Sequence, residues 1–218
     1  HSCTMKIKKI GWTTFLLNSE NISVITDPLL LAEEKNFPKT KTDVSLFTNY
    51  SKKVKSSIIS DNKLSEKIEP DTRDTILEIN SPGEYEIGGV MIRRGIGDDF
   101  YIIDEKTVRV VYMGGTDNNF DPDKVKNLGD VDVLIVPVGD GVSYMDFDKV
   151  EKVISNIDPV ILVPCAYKED SSKNGNLKSK EEFIKHFGFA NVREENYISV
   201  NKKKVEEEQQ SVEVIFLQ

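Results

Sequence analysis

Apolar positions along this chain fall mostly in short runs with strand-like spacing, and only a few stretches repeat with a helical period. The segment KIKKIGWTTFLLNSENISVITD, residues 6 to 27, holds two β-rich runs around a polar turn at Asn18 to Asn21, which predicts a β-hairpin closed by Asp27-Pro28. A loop with one helical turn follows, then a short apolar strand from Val44 to Thr48. Residues 51 to 68, SKKVKSSIISDNKLSEKI, read as a lysine-rich surface helix. From Thr75 onward TILEI, EYEIGGVMIRR, DFYIID and TVRVVYM are strands, the last two joined by a tight turn at Asp104 to Lys106. Asp121 before Pro122 pairs a side-chain cap with a preset first dihedral and starts a short helical turn.

The second half changes rhythm. VDVLIVPV, residues 131 to 138, is apolar enough to be covered on both faces. Asp146 caps a helix whose Phe147, Val150, Val153, Ile154 and Ile157 line one side, and VILVP at 160 to 164 is a further buried strand, giving strand, helix, strand. Ser179 and Glu182 have capping-box spacing ahead of Phe183, Ile184 and Phe187, with Gly188 as the stop. Residues 196 to 218 predict two strands around a polar excursion.

Composition narrows the class. No linker divides the 218 residues, so one domain over 5 to 218 is expected, with residues 1 to 4 read as a cloning remnant before Met5. Apolar residues make up 38% and charged ones 30%, which fits a folded domain with a wet surface. The formal charge of −8 weighs against nucleic-acid binding, and no aromatic residues interleave with the lysines around position 53. No apolar run approaches the roughly 20 residues of a membrane span, and no signal-like leader is present, so the expected location is cytoplasmic. Cys3 and Cys165 supply no disulfide framework.

Taken in order, KIKKIGWTTFLL, VITDPLL, VSLFTN, SPGEYEIGGVMI, VVYMGG, LGDVDVLIVPVG and YMDFDKVEKVISNIDPVILVP resemble the landmarks of the metallo-β-lactamase fold superfamily, in its bacterial and archaeal branch of metal-dependent hydrolases. The resemblance runs from Met5 to about Phe189. It implies an α/β fold, a four-layer αββα sandwich, with a metal site at the edge shared by the two sheets. Thr48 matches the start of the family's first metal motif, yet the positions expected to hold ligands are Asn49, Ser51, Lys53 and Val54. The remaining matched positions are Gly115, Gly141 or its neighbour Val142, and Ala166, while Trp12 stands where a histidine often follows glycine. A histidine-rich zinc site is also excluded by count, since the chain contains only His1 and His186. No metal or other cofactor is expected, and no catalytic residue is assigned.

Two replacements for the lost chemistry stay open. Asp117, Asp121, Asp123, Asp140 and Asp146 follow neighbouring strands and could gather oxygen ligands for Mg²⁺, although capping explains Asp121 and Asp146 without a metal. Cys165 follows VILVP, but no histidine is placed to activate it. The pocket residues expected from the resemblance are Trp12, Tyr50, Asp117, Asp140, Tyr144 and Cys165. The reading is therefore a noncatalytic protein that binds a small anionic ligand or acts as a homo-oligomer, with a hydrolase using a non-standard metal site or Cys165 as the alternative.

Overall fold

Strand β1 (Met5–Gly11) turns Met5, Ile7 and Lys9 inward and leaves Lys6 and Lys8 in solvent. In the computed structural model, which describes residues 4–31, 37–139, 141–169, 176–201 and 211–218, β1 pairs antiparallel with β2 (Thr14–Asn18), and β2 with β3 (Ser23–Thr26). A two-stranded ribbon joins β4 (Thr40–Thr42) to β6 (Ile68–Pro70). The small sheet continues from β3 into parallel β5 (Val44–Leu46) and β7 (Leu77–Ile79), and β15 (Ile198–Val200) flanks β1 on the other side.

The larger sheet begins as an antiparallel meander of β8 (Gly83–Ile87), β9 (Val90–Arg94), β10 (Tyr101–Glu105) and β11 (Val108–Tyr112). It becomes parallel through β12 (Val133–Pro137), β13 (Ile161–Cys165), β16 (Glu213–Leu217) and β14 (Asn191–Glu195). Every residue of β12 is buried, as a strand covered on both faces should be. The connection from β12 to β13 runs through α2 (Phe147–Ile157), capped by the Asp146 carboxylate on the Lys149 N–H at 2.9 Å. Helix α3 (Lys180–Phe187) has the reciprocal Ser179–Glu182 capping box and stops at left-handed Gly188.

Three apolar clusters define the layers. Ile7, Phe15 and Leu46 of the small sheet meet Tyr112, Ile135 and Val163 of the large one between the sheets. Val111, Leu134 and Val214 pack outward against Val150, Val153 and Phe183 of the helices. On the far side Ile25 and Phe47 are covered by Ile58 and Ile59 of α1 (Ile58–Asp61) with Phe37, Leu64 and Ile68. The order is helix, sheet, sheet and a thin outer layer, the four-layer αββα sandwich in which α1 and loops make the last layer. Among the described residues no helix is long and apolar enough to cross a membrane.

Several sequence expectations need correction, among them EYEIGGVMIRR, which is the hairpin of β8 and β9 rather than one strand. The lysine-rich stretch is helical only over Ile58–Asp61, because the Asp61 carboxylate accepts from the Lys55 N–H and the Ser56 hydroxyl and gives the preceding backbone a non-helical partner. Residues 6 to 27 form three strands rather than two, since the chain also reverses at Trp12, whose φ of 49° no turn-forming side chain announces. Strand β14 was not expected at all: NVREE has a single apolar side chain, which suits a charged edge strand and hides it from pattern reading.

Candidate functional site

The ends of β3, β5 and β11 converge on Asp27, which is 6% exposed. Its Oδ1 accepts the Thr48 N–H at 2.8 Å, and its Oδ2 lies 2.8 Å from the Thr48 hydroxyl and 2.6 Å from the Tyr112 hydroxyl. The Tyr112 hydroxyl is also 2.8 Å from the Thr13 carbonyl. A phenol has one proton, and a carbonyl oxygen can only accept. The single Tyr112 proton is therefore shared between the Asp27 Oδ2 and the Thr13 carbonyl. Burial pushes the Asp27 carboxyl up, more than the hydrogen bonds from Tyr112 and Thr48 pull it down. Burial and the adjacent Asp27 likewise push the Tyr112 hydroxyl well above its ordinary range.

Left-handed backbone gathers around the same place. Trp12, Asp27 and Ala166 have φ of 49°, 38° and 52°. Such a conformation costs roughly 1–2 kcal/mol at a residue bearing a β-carbon, least for Asp and Asn, and tertiary contacts must hold it. Close backbone approach is as marked. A β-carbon on Gly115 would stand 1.9 Å from the Thr48 Oγ1, and one on Gly114 would stand 2.2 Å from the Tyr112 hydroxyl. Thr48 is itself fixed by Asp27, so residue 115 has no room for a carboxylate unless this frame moves.

Other candidate residues lie around the frame. The Trp12 indole N–H donates to the Tyr144 hydroxyl at 2.8 Å, with the rings edge-on at 6.1 Å. Asn118 ties two loops, donating to the Gly141 carbonyl at 2.7 Å and accepting the Asp146 N–H at 3.1 Å. The Asp117 carboxylate accepts from the Asn119 N–H at 2.8 Å and sits near Asp99. Burial, with a smaller contribution from Asp117, raises the Asp99 pKa against the pull of Arg94. Tyr50 stands apart, its ring 6.2 Å from Phe47 on the outer face. Asn49, Ser51, Lys53 and Val54 are exposed, Val54 at 38%. Asp121 caps a 3-10 turn over Pro122–Val125, and Asp123 beside it is exposed. Asp140 lies outside the described residues.

Cys165 is fully buried, and burial pushes its thiol far up even though Lys9 pulls the other way. A thiol kept protonated inside the sandwich is a poor nucleophile. The donor set around Thr48, Gly115 and Ala166 does not suit zinc either: both Asp27 oxygens are engaged, and the only histidine among the described residues is His186. Among the described residues, three candidate metal-binding groups approach within 4.8 Å of one another in a single place, Asp148, Glu151 and His186, all exposed on the helical layer. Nothing in the chain order brings α3 beside the start of α2, so His186 is not legible from the sequence as part of a cluster. Asp27 is legible there only as the end of a strand. The available signal was a carboxylate placed directly after the β-branched run VIT.

A family model, the Beta-lactamase superfamily domain, matches residues 6–166. No curated protein matches the chain by sequence. Among solved structures, a candidate Zn-dependent hydrolase of the metallo-beta-lactamase superfamily from Thermotoga maritima is similar with a TM-score of 0.73 and 21% identity, over 98% of each chain. Igni18, a metallo hydrolase from Ignicoccus hospitalis, gives 0.59 and 17%, over 90% of this chain and 98% of its own. The metallo-beta-lactamase fold protein YhfI from Bacillus subtilis gives 0.52 and 13%, over 84% and 92%. At these identities the structures speak for the fold, and together with the family match over most of the sandwich they show that this chain belongs to the metallo-β-lactamase superfamily.

Proposed function

We propose that this chain is a noncatalytic member of its superfamily, which keeps the sandwich and the Asp27-centred frame, builds no metal-dependent hydrolase site there, and acts by binding a small ligand. The observation that carries this reading is the packing of Gly115 on Thr48: the position that the family resemblance assigns to a ligand is filled by a neighbour's hydroxyl. The Trp12–Tyr144 contact, and the exposed side chains of Asn49, Ser51, Lys53 and Val54, support it further. Two structures of similar fold are named as Zn-dependent or metallo hydrolases, and a fold can carry different chemistry in different chains. A thiol hydrolase is not favoured, since the Cys165 sulfur is enclosed and burial keeps its thiol far above the ordinary range.

The test is elemental mass spectrometry on protein purified without added metal or chelator, repeated after dialysis against Zn²⁺. A His186→Ala variant is carried in parallel to separate metal held by the helical cluster. The expected result is substoichiometric transition metal in the variant under both conditions, with a folding midpoint unchanged by chelator. A tightly held stoichiometric metal in the His186→Ala protein would overturn the reading.

A further inference from the structure

A cleft of about 500 Å³ opens where the ends of β13 and β16 meet the start of α3 and the inner face of β1, lined among others by Lys9, Tyr167, Lys168, Glu169 and Lys180. We infer that this cleft binds a small anion, a carboxylate or a phosphate, on the Lys9 ammonium, and that Glu169 occupies the anion's place until it arrives.

Lys9 follows Met5 and Ile7 in the inward register of β1 and is only 8% exposed. An apolar side chain would complete that row, and a buried ion pair rarely stabilises a fold more than well-packed hydrocarbon does. The lysine therefore asks for a role other than packing. Its ammonium lies 4.9 Å from the centre of the Tyr167 ring and pairs with the Glu169 carboxylate. Burial works against its charge, but Tyr167 and Glu169 outweigh burial and hold its pKa above the ordinary value. Lys9 is thus a cation at neutral pH, an anchor for negative charge rather than a nucleophilic amine.

The two partners are unequal. The Lys9 side chain is 7% exposed and that of Glu169 is 46% exposed. The cation is built into the sandwich, whereas its carboxylate partner reaches in from the surface and can return to water at little cost. An incoming carboxylate or phosphate would take over the same ion pair. Lys168 and Lys180 stand on the rim, the latter with its ammonium 4.9 Å from the centre of the Phe216 ring. Lys180 is itself paired with Glu194, so with Glu169 displaced Lys9 and Lys168 stand against Glu181 among the cleft's lining residues, a small positive balance in a chain of net charge −8. The cleft also lies at the carboxyl ends of two parallel strands, where open α/β sheets commonly receive ligands. Because an ammonium is a point charge, it selects charge over shape, and both anion classes fit.

The inference deepens the small-ligand reading but shares no residue with the metal test. Retained metal would overturn the loss of hydrolase chemistry and leave the cleft untouched; failure of anion binding would overturn the cleft alone. Inorganic phosphate and citrate are titrated calorimetrically at low ionic strength into the wild type, Glu169→Gln, Glu169→Gln with Lys9→Met, and Glu169→Gln with Lys180→Gln. Glu169→Gln is expected to bind phosphate, citrate or both about tenfold more tightly than the wild type, since the internal competitor is gone. The anion that gives heat assigns the ligand class. Adding Lys9→Met should abolish binding, and adding Lys180→Gln should weaken it by about threefold or more, which keeps the test sound if the buried variant folds poorly. No binding of either anion to Glu169→Gln, or binding indifferent to both lysine substitutions, would overturn the inference.

Discussion

Gly115 and Thr48 are in such close contact that a β-carbon on the glycine would lie 1.9 Å from the threonine hydroxyl oxygen. Gly115→Ala should therefore lower stability by about 1–3 kcal/mol, the usual cost of overpacking a rigid site. Gly115→Asp should cost more and still yield no metal centre. Urea denaturation followed by a zinc titration measures both effects, and a Gly115→Asp protein of wild-type stability that binds zinc stoichiometrically would show that the frame yields.

Asp27 should make the protein less stable as the pH rises. Its folded-state pKa lies above the ordinary 3.8, so the unfolded chain releases this proton first. The stabilisation is complete below 3.8 and is lost as pH rises through the folded pKa. Asn tolerates the left-handed φ and carries no titrating proton, so Asp27→Asn should remove this decline. Denaturation of both proteins from about pH 4 to about pH 8 reads the difference. Parallel curves would mean that Asp27 is ionised in the fold.

Asp43 has the opposite sign. Burial opposes its ionisation, but hydrogen bonds from the backbone and hydroxyls of Ser23 and Thr72 win and lower its pKa below 3.8. Its contribution is present above 3.8 and lost as pH falls through the folded value. Asp43→Asn should thus flatten the acid limb of the stability curve below about pH 4, where Asp27→Asn steepens nothing. An unchanged acid limb would count against this network.

Trp12 is the only tryptophan, so its fluorescence reports the contact with Tyr144. Tyr144→Phe removes the acceptor and should shift the emission while costing about 0.5–1.5 kcal/mol. Identical spectra would mean that the indole N–H has another partner in solution.

Cys165 should resist alkylation. In the native protein its peptide should stay unmodified by iodoacetamide at neutral pH and react fully once the chain is unfolded, because the sulfur is enclosed and its thiol is held protonated. Peptide mass spectrometry separates it from Cys3. Rapid native labelling would reopen the thiol-hydrolase alternative.

Much of the fold could be read along the chain because its determinants are local. Asp146, Ser179 with Glu182, and Gly188 mark the two longer helices through their own capping hydrogen bonds, and VDVLIVPV needs no context to be a doubly covered strand. The absent imidazoles were equally plain, since a histidine count needs no coordinates. Long-range contacts decided the rest. Thr48 and Gly115 are far apart in sequence, as are Asp27 and Tyr112, Lys9 and Glu169, and Asp148 and His186, and local pattern carries no information about such pairings. Whether Asp27 is a strand stop or a buried acid with a raised pKa, and whether Lys9 is a surface lysine or the cation inside a cleft, depends on the water and charge around each group, and those are set only when the two sheets close on one another.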